Sequence, residues 1–222
     1  MQFPPAKRNP PARRNAAMTL PEVLLVIVVV VILVGLLFPV RRSKIDGPRL
    51  RCVNNLKQIG LAYYMWANDH GGKYPEAVSI TNGGVMELAS GGNVFPYFQI
   101  VSNELNDPRV LICPVDIEKK PAINFTNDFN DSHISYFVNA DAFDSNPAVF
   151  LSGDRNLARA GTPLPHGVSV LTTNDVLSWT DQIHKRRGNI GLADGSVQQL
   201  GSDWLREGFQ TSGLATNRLV LP

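Results

Sequence analysis

The first feature of the chain is an apolar run. From Val23 to Val40 no charged residue occurs, and only Gly35 and Pro39 interrupt a run of valines, leucines, isoleucines and one phenylalanine. As a helix this stretch rises about 27 Å, close to the hydrocarbon thickness of a bilayer. It has no polar face, which argues against a core helix. A secretory signal would end in small residues, but Arg41 and Arg42 follow. The pattern therefore predicts a membrane-spanning helix. Pro39 is expected to bend or end it.

A different period follows. Over residues 49–69, Leu50, Val53, Leu56, Ile59, Tyr63 and Trp66 or Ala67 recur at steps of three and four. This predicts an amphipathic helix, preceded by an interruption at Asp46-Gly47-Pro48 and stopped by His70-Gly71-Gly72. The expected picture is one long helix, half in lipid and half covering a globular domain. Beyond residue 71 the apolar runs are short. Strands are expected at 110–113, 134–138, 149–151, 168–172, 176–179, 189–193 and 196–200, and a short helix at 85–89. The last two strands flank Asp194-Gly195, which predicts a hairpin with a two-residue loop. Long stretches rich in Asn, Asp, Gly and Pro separate the strands. The expected fold class is α+β: a long N-terminal helix packed on a small antiparallel sheet with long loops.

Composition narrows the function classes. The net charge is +2 and charged residues make up 18% of the 222, too little clustered excess for a nucleic-acid partner. The basic residues sit on both sides of the apolar run: Lys7, Arg8, Arg13 and Arg14 before it, and Arg41, Arg42, Lys44, Arg49 and Arg51 after it. Orientation across a membrane is thus not set by charge. There is no G-x-S-x-G, P-loop, H-E-x-x-H or G-x-G-x-x-G, and no enzyme is expected. The two cysteines, Cys52 and Cys113, form no C-x-x-C pair, so the sequence offers no thiolate core for structural zinc, and no metal site is assigned. They form either one disulfide or two small buried thiols. Two oxygen-rich patches, Asn124, Asn127, Asp128, Asn130 and Asp131, and Asn139, Asp141, Asp144 and Asn146, are either solvated loops or calcium ligands. No other cofactor is implied.

The boundary Ala17-Met18-Thr19-Leu20-Pro21-Glu22 resembles the type IV prepilin cleavage and methylation signature, with Ala17 where glycine is usual. The resemblance implies a leader at 1–17, cleavage between Ala17 and Met18 by a prepilin peptidase, and N-methylation of Met18. Thr19 and Leu20 belong to the signature. Glu22 would neutralise the N-terminal amine of a neighbouring subunit during assembly. A charge at the end of an apolar helix needs such a partner, or else contact with headgroups.

A second resemblance covers the rest. His184, nine residues, then Asp194-Gly195 is similar to the H-x9-DG motif of a prepilin-like family. Cys52 to Gly60 (CVNNLKQIG), Cys113-Pro114-Val115-Asp116 and Gly153-Asp154-Arg155-Asn156 resemble its other blocks. For His184 and Asp194 both a structural turn and a ligand site stay open. The implied divisions are 1–17 leader, 18–45 membrane and assembly helix, 46–70 amphipathic helix, and 71–222 pilin-like domain. The implied function is a structural subunit of a type II secretion pseudopilus or type IV pilus-like assembly. Its partners would be the peptidase, other pilin or pseudopilin subunits and inner-membrane lipid. The location would be a single pass of the inner membrane with the globular domain in the periplasm or extracytoplasmic space. The alternative is an anchored module binding polysaccharide, protein or a cation, marked by exposed Trp or Tyr in loops 120–180.

Overall fold

The computed structural model describes residues 19–37, 46–143 and 145–222. The leader, the cleavage pair Ala17 and Met18, Pro39 and Asp144 lie outside the described residues. The chain divides into two compact units, one up to Arg42 and one from Ser43.

In the first unit, α1 (Leu20–Leu37) is an 18-residue helix, with its apolar side chains exposed from Leu20 to Val34. Thr19 and Glu22 explain why it starts where it does. Glu22 Oε2 accepts the Thr19 backbone N–H at 2.9 Å and the Thr19 hydroxyl at 3.1 Å. This T-x-x-E pairing is one half of a capping box. These bonds hold the Glu22 carboxyl below its ordinary pKa, the backbone bond first. Pro21 sits in the first turn, where its missing N–H costs nothing.

Among the described residues no helix is long and apolar enough to cross a membrane. This overturns the expectation of a single inner-membrane pass with a periplasmic domain. The physical reason is length. Beyond Glu22, the described apolar helix from Val23 to Leu37 rises about 22 Å, against roughly 30 Å of hydrocarbon. The described residues hold two helices, α1 and α2 (Asp46–Asp69), and the stretch expected to join them into one long helix, 38–45, lies outside the described residues. Pro48 does not interrupt α2, because it falls in the first turn.

The second unit is α+β. α2 buries Cys52, Leu56, Ile59, Tyr63, Trp66 and Ala67, while Leu50 is exposed. The inward stripe thus keeps the expected period but begins at Cys52. Short helical elements follow, among them α3 (Phe95–Gln99), α4 (Ser102–Leu105) and a 3-10 turn at Pro108–Leu111. That last turn stands where a strand was expected. Asp107 accepts the Arg109 N–H at 2.9 Å and Pro108 fixes the next residue, which together favour a turn. Residues 86–90 form a 3-10 helix.

The strands are β1 (Tyr136–Asn139), β2 (Phe150–Asp154), β3 (Leu157–Arg159), β4 (Thr162–Pro163), β5 (Gly167–Thr172), β6 (Leu177–Trp179), β7 (Arg187–Leu192), β8 (Val197–Gly201) and β9 (Thr216–Leu221). Six form an antiparallel sheet in the order β5-β9-β1-β2-β7-β8, and three form a second sheet, β4-β3-β6. The helix α5 (Ser202–Thr211) lies between β8 and β9.

The sheet is buried on both faces. Tyr136, Val138, Leu151 and Val220 join α2 in one core, while Phe137, Phe150, Ile190, Leu219 and Leu221 join Leu205 and Phe209 of α5 and Trp179 of β6 in the other. Successive residues of β1 and β9 therefore enter opposite cores.

The Asp194-Gly195 hairpin forms, but its loop has three residues, not two. Leu192 N–H donates to Ser196 O at 2.9 Å and Gly195 N–H to Leu192 O at 3.0 Å. Gly195 has a φ of 78° and Asp194 is not in the left-handed region. A two-residue type I′ turn needs positive φ at both. Asp194 Oδ1 accepts the Ser196 N–H at 2.8 Å. The loop lies against α2: a Cβ on Gly60 would come 3.3 Å from Gly195 Cα.

Two stability predictions follow from this packing. A Cβ on Gly188 would stand 2.4 Å from the Trp179 ring, so Gly188→Ala should lower the urea-unfolding free energy by about 1–3 kcal/mol. Glu76 is buried with neither oxygen hydrogen-bonded among the described residues, and burial pushes its pKa up to about 8. The folded-state value lies above the ordinary carboxylate value. Glu76's contribution is therefore whole at acid pH, declines as pH rises past that ordinary value, and is lost once pH passes about 8. Glu76→Gln should change stability little at pH 4 and raise it by a few kcal/mol, on the order of 2–4, at pH 8.5; unfolding curves at the two pH values check this.

Candidate functional site

The three motif blocks of the second resemblance and its histidine meet inside the second unit. Cys52 comes from the first half of α2, Cys113 from just after the 3-10 turn, Asp154 from the end of β2, and His184 from the turn between β6 and β7. All four are buried. One ligand atom from each lies within 4.8 Å of the other three. Cys52 and Cys113 are joined as a disulfide with Cα atoms 5.3 Å apart, closing a 61-residue separation.

His184 Nε2 is 3.3 Å from Cys113 Sγ and 3.5 Å from Asp154 Oδ2. A disulfide sulfur carries no hydrogen, so the bond to Cys113 requires Nε2 to be the donor. Asp154 Oδ2 accepts the Asn189 backbone N–H at 2.7 Å and its side-chain amide at 2.8 Å. Asp154 Oδ1 is buried with no hydrogen-bond partner among the described residues. Burial drives both groups toward their neutral forms. It pushes Asp154 up to about 7, and, with the nearby Arg49 charge, pulls His184 down to about 4. Around neutral pH the histidine is therefore uncharged, and its contact with Asp154 is not an ion pair.

Neighbouring residues hold the four in place. Asn55 donates to Ile112 O at 2.9 Å and to the Tyr136 hydroxyl at 3.1 Å, fixing the chain just before Cys113. Arg155 grips Asp116 with two bonds, of 2.7 and 2.8 Å, just after it. Burial alone would raise Asp116, but the Arg155 pair more than offsets it. Asn156 donates to Ile183 O at 2.8 Å and Thr180 O at 3.1 Å, fixing the turn that presents His184. That turn places His184, Lys185 and Arg186 at φ of 56°, 52° and 59°, a left-handed run that costs energy for residues with side chains. Arg49 donates to the His184 carbonyl at 2.9 Å.

The other expected residues lie elsewhere. Asp194 and Gly195 serve the hairpin and stay outside the cluster. Thr19, Leu20 and Glu22 are exposed at the start of α1. Several residues of the two oxygen-rich patches spend their groups on the protein. Asp131 accepts the Val94 and Phe95 N–H groups and contacts His166 at 2.9 Å. Asp141 binds Arg218, and Asn139 donates to Phe150 O and Asn217. Between residues 120 and 180 the Trp and Tyr residues are Tyr136 and Trp179, and both are buried. An exposed aromatic platform is therefore not found there.

Sequence reasoning missed Asp154 as a site residue, together with Arg49, Asn156 and Asn189. A signal for Asp154 and Asn156 was present in the Gly153–Asn156 block, though not its meeting with the cysteines. The chain matches no protein-family model, no curated protein and no solved structure.

The disulfide should contribute roughly 4 kcal/mol through the long loop it closes. In metal-free, chelator-containing buffer, Cys52→Ser/Cys113→Ser should lower the unfolding free energy by about that amount, as measured by urea titration.

Proposed function

We propose that the chain is a structural subunit of a type II secretion pseudopilus or type IV pilus-like assembly, joined to its neighbours through α1. One observation carries this reading. α1 leaves a continuous row of apolar side chains, Val23 to Val34, without cover, and a row of that size calls for apolar partners. Valine- and isoleucine-rich helices of this kind cover one another by close van der Waals packing. The motif residues at 17–22 add to it, with processing between Ala17 and Met18 by a prepilin peptidase and methylation of Met18. The α2-on-sheet unit then takes the part of a pilin-like headpiece.

Glu22 has two roles to separate. It caps α1 through Thr19, and it is the charge proposed to meet a neighbour's amine. Glu22→Gln keeps an oxygen acceptor for the Thr19 N–H and removes the charge. Glu22→Ala removes both. In cells making the full-length chain, both variants should lose cross-linked oligomers at least tenfold with the disulfide-bonded unit still folded. If Glu22→Gln assembles like the parent, the carboxylate acts only as a cap and the assembly role assigned to it is wrong.

A further inference from the structure

We propose that, when Cys52 and Cys113 are reduced, the buried cluster binds one zinc ion through their two thiolates, His184 Nε2 and an Asp154 oxygen. Two sulfurs, an imidazole and a carboxylate make up a four-ligand set of the kind zinc takes in tetrahedral sites. The four donors already converge within 4.8 Å, so little rearrangement is needed to reach bonds of about 2.0–2.3 Å. They come from a long helix, a central strand and two clamped turns. An independent observation also points to a ligand: Asp154 Oδ1 is fully buried and unpartnered, while Oδ2 is fixed by Asn189. Asp154 Oδ2 lies 3.5 Å from His184 Nε2, and the idle Oδ1 leaves the carboxylate with acceptor capacity that a cation can use.

Charge supports the same assignment. Two thiolates and a carboxylate around a divalent ion leave one net negative charge. Arg49 reaches the cluster through the His184 carbonyl, and its Nε is buried without a hydrogen-bond partner among the described residues. Its positive charge brings the site to neutrality, as a buried site requires. A cavity of about 290 Å³, lined by Arg49, Val115, Gln182 and Lys185 among others, is bordered by His184 of the cluster. The sulfurs select zinc over calcium or magnesium, which prefer oxygen.

The chemistry balances in simple terms. A newly made chain carries both thiols, and binding Zn²⁺ displaces their two protons to solvent, together with the proton of Asp154 where that carboxyl is protonated, while neutral His184 carries its proton on Nδ1. From the oxidised chain, a trialkylphosphine delivers two electrons to the S–S bond. Water supplies the two thiol protons and the oxygen of the phosphine oxide. Oxidation reverses the state: the thiolates lose two electrons to an oxidant such as a disulfide exchanger, the S–S bond forms, and zinc leaves. The cluster is thus either a zinc site or a cross-link, never both.

The test uses the full-length chain in mild detergent, oxidised or phosphine-reduced, with Zn²⁺ as the probe and a chromophoric chelator as competitor. The reduced chain should hold one zinc per chain and the oxidised chain none. Cobalt(II) on the reduced chain should give thiolate-to-metal absorption in the near ultraviolet. His184→Ala and Asp154→Ala should each weaken binding at least ~10-fold, and His133→Ala, on the surface, should leave it unchanged. Zinc held equally by the oxidised chain would overturn the proposal, because the ion would sit elsewhere. So would a reduced chain, folded by circular dichroism, that takes no zinc, or one that unfolds and is not recovered by adding zinc. If the alanine variants do not fold, the comparison of oxidised and reduced parent chain decides alone.

Discussion

The seating of α2 across the sheet is the constraint on which the second unit depends. It is fixed at two points. At one, Cys52 is tied to Cys113 beside Asp154 and His184. At the other, Gly60 lies against the Gly195 loop, where any larger residue would meet backbone. Between these points Leu56 and Ile59 fill the core. A helix held at both places cannot slide or rotate, so the strands beneath it keep one register. The same seating brings four distant residues together in a space that excludes water. There, burial decides protonation: it keeps the His184 imidazole uncharged around neutral pH and raises the Asp154 carboxyl beside it to about 7.

Much of this fold was legible in the sequence, for physical reasons. α2 has one wet face, so its period of three and four survives in the residue order. The hairpin at Asp194-Gly195 is written in turn chemistry that few other residues satisfy. β5, β6, β7 and β8 were also marked by short apolar runs. β9 was not, because both its faces are covered in part and Asn217 and Arg218 break the pattern. α5 was missed because only Leu205 and Phe209 point inward from ten residues. The turn at Pro108–Leu111 reads as a strand by its apolar content, yet Asp107 and Pro108 decide its backbone.

The candidate site was less legible. Residues 52, 113, 154 and 184 have no common spacing, and only the folded chain makes them neighbours. Without a C-x-x-C pair the cysteines suggested no zinc, although the fold supplies what the spacing lacks. His184 was tied by its motif to Asp194, ten positions on, but its partners in space are Cys113 and Asp154. Glu22 was read for its charge, while its capping of Thr19, a purely local interaction, was overlooked. The expected membrane pass rested on counting apolar residues through Val40, whereas the described helix ends at Leu37.

The assembly reading rests on processing that exposes α1 at Met18, and one measurement tests that directly. The intact mass and N-terminal peptide of the mature protein, taken from the cells that make it, report where the chain begins. The account predicts a chain starting at Met18, with one added methyl group on its amine. A chain that still carries residues 1–17 would contradict it, because no free amine would then stand beside Glu22 for a neighbouring subunit to meet.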